Sequence, residues 1–253
     1  MNAPQRLLAN TLMLLAALCG AASIALFAFP PVGSLRVFHP QWPLAGVLCW
    51  DALLSLLFFL QHSGMVRRGF RVRLARFIPS WYYPAFYATA SGVALAAVVL
   101  LWQPSERHLF VLDGLAIRIA QGGSLAAVAF FVWGGFALKG FDPFGLSPIR
   151  AYLRGSGEPR PAFVVRGPYR WVRHPLYFSV LLLFWFCPDL TLDRLLFNIL
   201  WTAWICVGTL LEEADLTREF GDAYVQYRQT VPMLVPWGGL FSRGESLRLR
   251  RLL

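Results

Sequence analysis

The sequence predicts an all-α, polytopic membrane protein of about six transmembrane helices, on three observations. Of its 253 residues, 57% are hydrophobic and only 14% charged, too few charges to cover a water-exposed surface of that size. The apolar residues gather in long runs, and roughly 20 of them in a row cross the hydrocarbon as a helix. The arginines crowd into alternate connections between those runs.

The first run, 7–29, reads "LLANTLMLLAALCGAASIALFAF" and ends at Pro30-Pro31. Its "CGAAS" has small residues of the signal-cleavage type, but the apolar stretch continues to Phe29, which favours a retained first span. The second run covers about 43–62 and ends in "LQHS"; the third covers about 82–102 and the fourth about 115–137. After a polar stretch, 138–174, come two closely spaced runs, 175–187 and 190–211, separated by Pro188-Asp189. Pro175 suits the first turn of a helix and Pro188 stops that helix after about thirteen residues, roughly 20 Å of rise against a hydrocarbon core of roughly 30 Å. Runs five and six are therefore expected to form a tight helical hairpin, with a cytoplasmic cofactor pocket at its base.

Charge sets the expected orientation. The 63–81 loop has five arginines, the 138–174 stretch seven basic residues and the tail after Leu211 six arginines, while the intervening loops have one each, Arg36, Arg107 and Arg194. With both termini cytoplasmic, every basic-rich segment falls inside, as expected for a bacterial inner-membrane protein. A net charge of +10 suits anionic headgroups, and no aromatic-basic pattern accompanies it that would suggest a nucleic-acid partner. Cys19, Cys49, Cys187 and Cys206 lie in or at the ends of apolar runs, form no CxxC pair and read as small buried hydrophobes. No metal-ligating set is assigned.

Between the runs, "SPIRAYLRG" predicts a short interfacial helix with Ser147 as N-cap, Pro148 in the first turn, Gly155 as terminator and Ile149, Tyr152 and Leu153 on one face. After the sixth run, "LLEEADLTREFGDAYVQYRQTVPMLVPW" breaks at Gly221, restarts as a short helix with Tyr224 and Tyr227 on one side, and ends at Pro232. The chain is thus expected to be one integral membrane domain. Within it, 1–137 forms a four-span part, 138–237 a core with loop, hairpin and C-terminal helix, and 238–253 a basic tail.

Two clusters carry candidate chemistry, "GPYRWVRHPLY" before the hairpin and "EEADL…FGDAYVQY" after it. A hairpin brings cations, carboxylates and tyrosines together at one end. S-adenosyl-L-methionine presents a carboxylate, an ammonium, a ribose diol, an adenine and a sulfonium, and needs such a mixed pocket. Arg173 or His174 suits the carboxylate, Glu212 or Glu213 the ammonium or diol, and tyrosine faces the adenine or sulfonium. The ordinary reading of each part stands beside this: arginines obeying the positive-inside rule, a helix-starting Pro175, and Glu212-Glu213 marking where a helix leaves lipid.

"GPYRWVRHPLY", the hairpin, "EE", "FG..Y..Y" and "VP.L.P" together resemble the isoprenylcysteine carboxyl methyltransferase and phospholipid methyltransferase superfamily, over residues 163–237. "FFLQHSGMVRRGF" and "FDPFGLSPIRAYLRG" are similar to its NnrU-like branch, in particular the methanethiol S-methyltransferases. The resemblance implies a membrane methyltransferase using S-adenosyl-L-methionine, with cofactor roles for Arg173, His174, Pro175, Tyr177, Glu212 and Glu213, and additionally Tyr169, Tyr224 and Tyr227. Arg173 and Glu213 are the candidate catalytic pair. The implied acceptor is a small or lipophilic thiol such as methanethiol; a prenylcysteine carboxylate or a phospholipid amine is the alternative within the superfamily. "SWYYPAFY" at 80–87 replaces a Glu-Arg-Ser stretch of that branch and points to an altered acceptor pocket. A haem- or quinone-binding module using His62 and His174 is the alternative from another class. Asp51, mid-span, reads equally as functional or as hydrogen-bonded to a neighbouring helix, and His62 as an entrance residue or an interfacial one.

Overall fold

The computed structural model describes residues 3–28, 34–138, 142–157 and 163–236. The helices are α1 (Ala3–Ala28), α2 (Leu44–Val66), α3 (Arg68–Leu74), α4 (Tyr83–Leu101), α5 (Gly114–Ala137), α6 (Ser147–Leu153), α7 (Pro175–Trp185), α8 (Leu192–Phe220) and α9 (Asp222–Thr230). Two short strands, β1 (His108–Val111) and β2 (Asp189–Thr191), pair with each other. Among the described residues five helices, α1, α2, α4, α5 and α8, are long and apolar enough to cross a membrane, so the chain is a helical, polytopic membrane protein. The run expected as a fifth span forms α7, an apolar helix of 11 residues, about 16 Å long at 1.5 Å per residue. The Pro30-Pro31 stop and the tail at 238–253 lie outside the described residues.

Two compact units emerge from the contacts, one made of Met1–Leu109, Asp142–Pro161 and Thr191–Trp201, the other of Phe110–Phe141, Ala162–Leu190 and Thr202–Leu253. In the first, α1 and α4 meet along a seam of small residues that includes Ala9, Ala16, Ala85 and Ala88. At Gly92 the approach is closest: a Cβ there would lie 2.8 Å from the Cys19 carbonyl oxygen. Leucines on the outward faces, such as Leu14, Leu18, Leu53 and Leu57, remain exposed, as helices solvated by lipid require. Between α2 and α4, the Tyr87 hydroxyl lies 2.8 Å from Nε2 of His62, and Ser91 Oγ lies 3.1 Å from its Nδ1. Tyr83 donates to the Met65 carbonyl.

Helix α6 corrects the expected cap. Ser147 is its first residue rather than its cap, and Asp142 Oδ2 accepts the Ser147 N–H at 2.6 Å instead. Nor does its apolar face lie on lipid. Ile149 is fully buried in the α1–α4 core, and Tyr152 stacks on Trp81 at 4.4 Å and 9°. The helix does end at Gly155, whose φ is +67°.

Buried Asp51 accepts the backbone N–H of Gln103 at 2.9 Å, which ties the end of α4 to α2. Asp193 does the same for the following turn, accepting from Ser105 N–H at 2.8 Å and Trp102 Nε1 at 3.1 Å. Each carboxylate satisfies backbone donors left over where α4 stops.

The second unit packs α5 against α7, where Gly123 and Gly134 leave room for Phe186 and Leu176. Phe163, Val165, Leu216, Phe220, Tyr224, Tyr227 and Val231 form its second apolar cluster, beneath the polar side chains described next.

Candidate active site

Two backbone hydrogen bonds bring distant segments together: Arg173 N–H donates to the Pro232 carbonyl at 2.9 Å and His174 N–H to that of Met233 at 3.1 Å. The chain entering α7 is thereby joined to the chain leaving α9. Helix α9 can return along α8 because Gly221, with φ +58° and ψ −135°, takes a conformation L side chains rarely adopt. Three residues apart on α9, Tyr224 and Tyr227 share its buried face, and the Tyr227 hydroxyl donates to the Tyr169 carbonyl at 2.6 Å.

Glu213, only 3% exposed, is the hub of the site. Its Oε1 accepts Arg173 Nε at 2.5 Å, its Oε2 accepts Arg173 Nη2 at 3.0 Å, and Arg228 Nε lies 3.1 Å from Oε2. His174 Nε2 is 3.2 Å from Oε1 and the Tyr224 hydroxyl 3.4 Å. Arg173 Nη1 donates to the carbonyls of Arg228, at 2.9 Å, and of Val231. Two guanidiniums around one carboxylate offset the cost of burying its charge.

Burial pushes the His174 imidazole below its ordinary range; Glu212 and Glu213 pull it back only in part, and Arg173 opposes them. The ring is therefore neutral at pH 7, and its contact with Glu213 puts the proton on Nε2. That leaves the Nδ1 lone pair toward Glu212 Oε2, 3.9 Å away. This oxygen is shielded from solvent and has no hydrogen-bond partner among the described residues, although the Glu212 side chain is 41% exposed. Two acceptors face each other with no donor between them.

All the expected site residues meet here. Pro175 is buried in the first turn of α7, and the Tyr177 ring stacks on His174 at 5.7 Å and 17° with 37% of the residue exposed. Burial raises the phenols of Tyr169, Tyr224 and Tyr227, so all three stay protonated. Arg228 was missed by the reading of the sequence. It lies four residues after Tyr224, on the helical face those tyrosines mark, and that spacing was the signal available. Asp51 and His62 belong to the other unit, where both have the hydrogen-bond partners named above.

The chain is 38% identical over 200 residues to the methanethiol S-methyltransferase of a Pseudomonas strain, covering 77% of this chain and 75% of that protein. The chain belongs to the methanethiol S-methyltransferase family. Further methanethiol S-methyltransferases of this family, from Pseudomonas deceptionensis and Bradyrhizobium diazoefficiens, are 34% identical over 202 residues and 36% over 200. They match 78% of this chain in both cases and cover 74% and 75% of their own lengths. No family model matches the chain. No solved structure matches it either.

A methanethiol S-methyltransferase family member needs a methyl donor, and the site's donor set can be tested against S-adenosylmethionine. Its ammonium and ribose hydroxyls are hydrogen-bond donors, which is what the pair formed by Glu212 Oε2 and His174 Nδ1 lacks. The half-exposed ring of Tyr177 offers a flat face for an adenine. The residues present fit the group.

Proposed function

We propose that the protein is an integral-membrane, S-adenosylmethionine-dependent methyltransferase acting on a small or lipophilic thiol, with methanethiol, the acceptor named for its relatives, as the first candidate. The observation that carries this reading is the Glu212 oxygen, unpartnered among the described residues, facing the His174 lone pair beside a carboxylate that two arginines already engage.

When bound, the cofactor supplies a methyl group already activated on a sulfonium. The chain's task is therefore to hold and align rather than to activate. Glu212 and His174 Nδ1 would receive the ammonium or the ribose hydroxyls, and Tyr177 would hold the adenine. Glu213 positions His174 and the arginines, with the protonated phenols of Tyr224, Tyr227 and Tyr169 around them. The acceptor reacts as a thiolate; even a free cysteine thiol, with a pKa near 8.5, is only a few per cent ionised at pH 7, and a simple alkyl thiol, a weaker acid, is ionised less still. Arg166 and Arg170, both exposed just ahead of Arg173, supply positive potential that favours the anion. The alternating basic connections support a cytoplasmic face for this site, with α7 and α8 forming the hairpin whose base carries it. The alternative haem or quinone reading draws no support from this geometry, since both nitrogens of His62 lie near the Tyr87 hydroxyl and Nε2 of His174 is committed to Glu213.

The test is transfer of labelled methyl by purified protein to a panel of acceptors. Methanethiol or another short alkyl thiol should be labelled faster than phosphatidylethanolamine or a prenylcysteine, with a rate that rises toward the thiol's pKa. Labelling of the lipid amine or prenylcysteine alone would sink the thiol assignment, and no labelling of any acceptor would sink the methyltransferase reading.

A further inference from the structure

The geometry points to Arg228 as the residue that binds the cofactor's carboxylate, with Arg173 serving the frame of the site; this deepens the methyl-donor reading above and rests on it. From the sequence, Arg173 or His174 looked suited to that carboxylate, because both stand in the motif before α7. The structure commits four of the five N–H donors of Arg173. Its side chain is 9% exposed, with Nε and Nη2 on Glu213 and Nη1 on the carbonyls of Arg228 and Val231. A guanidinium held by a buried carboxylate on one side and two backbone carbonyls on the other has no fork left for an incoming carboxylate. His174 is neutral, and its remaining nitrogen presents a lone pair, which repels an anion.

Arg228 differs in each respect. It stands at the solvent side of the same hub, with Nε 3.1 Å from Glu213 Oε2 and Nη1 3.4 Å from Thr217 Oγ1, and its side chain is 45% exposed. Among the described residues Nη2 has no partner. The guanidinium is thus anchored through Nε and Nη1 with Nη2 open, and anchoring reduces the rotamer freedom lost on binding a ligand. The polar series then runs from Arg228 by an ion pair to Glu213, by a hydrogen bond to His174 and across a 3.9 Å gap to Glu212, with a cation exposed at one end and a carboxylate exposed at the other. A ligand whose carboxylate meets the first and whose ribose hydroxyls, many bonds from that carboxylate, meet the last engages both ends. Arg166 and Arg170 are exposed as well, but neither is tied to this series.

The test uses the full chain purified in detergent and two thioethers, S-adenosylhomocysteine and its decarboxylated form, S-adenosyl-3-thiopropylamine. Calorimetry gives the affinity of each for wild type, Arg228→Ala and Arg228→Lys. Arg228→Ala should bind S-adenosylhomocysteine about tenfold or more weaker, the effect of losing a charge-assisted contact, and the decarboxylated ligand within about twofold of wild type. Arg228→Lys, which keeps the charge and loses the fork, should fall between. An equal loss for both ligands would make Arg228 a purely structural neighbour of Glu213 and overturn the assignment, as would no loss for either. Wild type that binds neither ligand would overturn the methyl-donor reading itself, and this assignment with it.

Discussion

Arg173 and Glu213 stand 40 residues apart in the chain and meet through two nearly parallel hydrogen bonds, Nε to Oε1 at 2.5 Å and Nη2 to Oε2 at 3.0 Å. The two side chains are 9% and 3% exposed. A bidentate pair sealed to this degree is costly to break from one side, because the surviving charge stays buried without its counter-ion.

Glu213→Gln should therefore lower stability by about 3–5 kcal/mol, the usual cost of stranding one partner of a buried pair. Thermal unfolding of the detergent-purified protein measures it. A Gln variant as stable as wild type would mean that the hub carries little of the fold's energy.

His174→Ala and Glu213→Ala should each weaken S-adenosylhomocysteine binding by about tenfold or more, since each leaves a charge-assisted partner unsatisfied. Wild-type affinity in both, with the fold intact, would return these residues to helix capping and topology.

The neutral state of His174 has a consequence for pH. Its pKa is lowered in the fold by burial, with Glu212, Glu213 and Arg173 as the charged groups facing it, while an unfolded imidazole titrates near 6.5. Below that value the unfolded chain binds the proton more readily than the folded one. Stability from this site is thus fully present above about pH 6.5 and is lost as the pH falls through the folded-state pKa. Melting temperatures from pH 8 to pH 5 should drop more steeply for wild type than for His174→Gln, which keeps a donor and does not titrate there. Parallel curves would show that the ring titrates alike in the folded and unfolded chain, and a shallower wild-type curve that it is held charged in the fold.

A single methyl at Gly92 should be enough to disturb the seam between α1 and α4. The new Cβ would lie 2.8 Å from the Cys19 carbonyl oxygen and 2.9 Å from its carbon, and backbone cannot swing aside as a side chain does. Gly92→Ala should cost about 1–3 kcal/mol by overpacking. Gly208→Ala, with nothing within 4 Å of its added carbon, should be neutral or stabilising through helix propensity. Unfolding followed by tryptophan fluorescence separates the two, and equal melting temperatures would contradict the close packing.

Cysteines introduced in the 63–81 and 142–157 segments should be shielded from an impermeant thiol reagent in intact cells, and cysteines at 105 or 189 should be labelled. The arginine distribution between the apolar runs sets this expectation. The opposite pattern would move the site to the other face of the membrane.

What could be read from the sequence depended on the range of the interaction. The apolar runs located α1, α2, α4 and α5 to within a few residues, because the length of a spanning helix is set by the bilayer rather than by its neighbours. Gly221 and the Tyr224–Tyr227 spacing were equally legible, being local chemistry. Asp142 capping Ser147, and Ile149 turning inward, were not, since both depend on what α6 packs against. The basic helix α3 and the strands β1 and β2 are 7, 4 and 3 residues long, too short for a periodic signal. In the site, the residue types were visible, but their division of labour was not. Arg173 and Arg228 are indistinguishable as letters, and only burial assigns one to the interior and the other to the surface.

The break at Gly221 makes the site sensitive to chain length as well as to chemistry. Glu213 precedes it and Tyr224, Tyr227 and Arg228 follow it, so every contact between them presupposes a fixed number of residues around the bend. Deleting one residue between Gly221 and Tyr224 would turn the rest of α9 by about 100°, carrying the tyrosines off their buried face and Arg228 away from the carboxylate. Variation among functional descendants of this chain is thus free to exchange side chains in that stretch and barred from inserting or removing one, a constraint that would surface as a gapless block between 213 and 228.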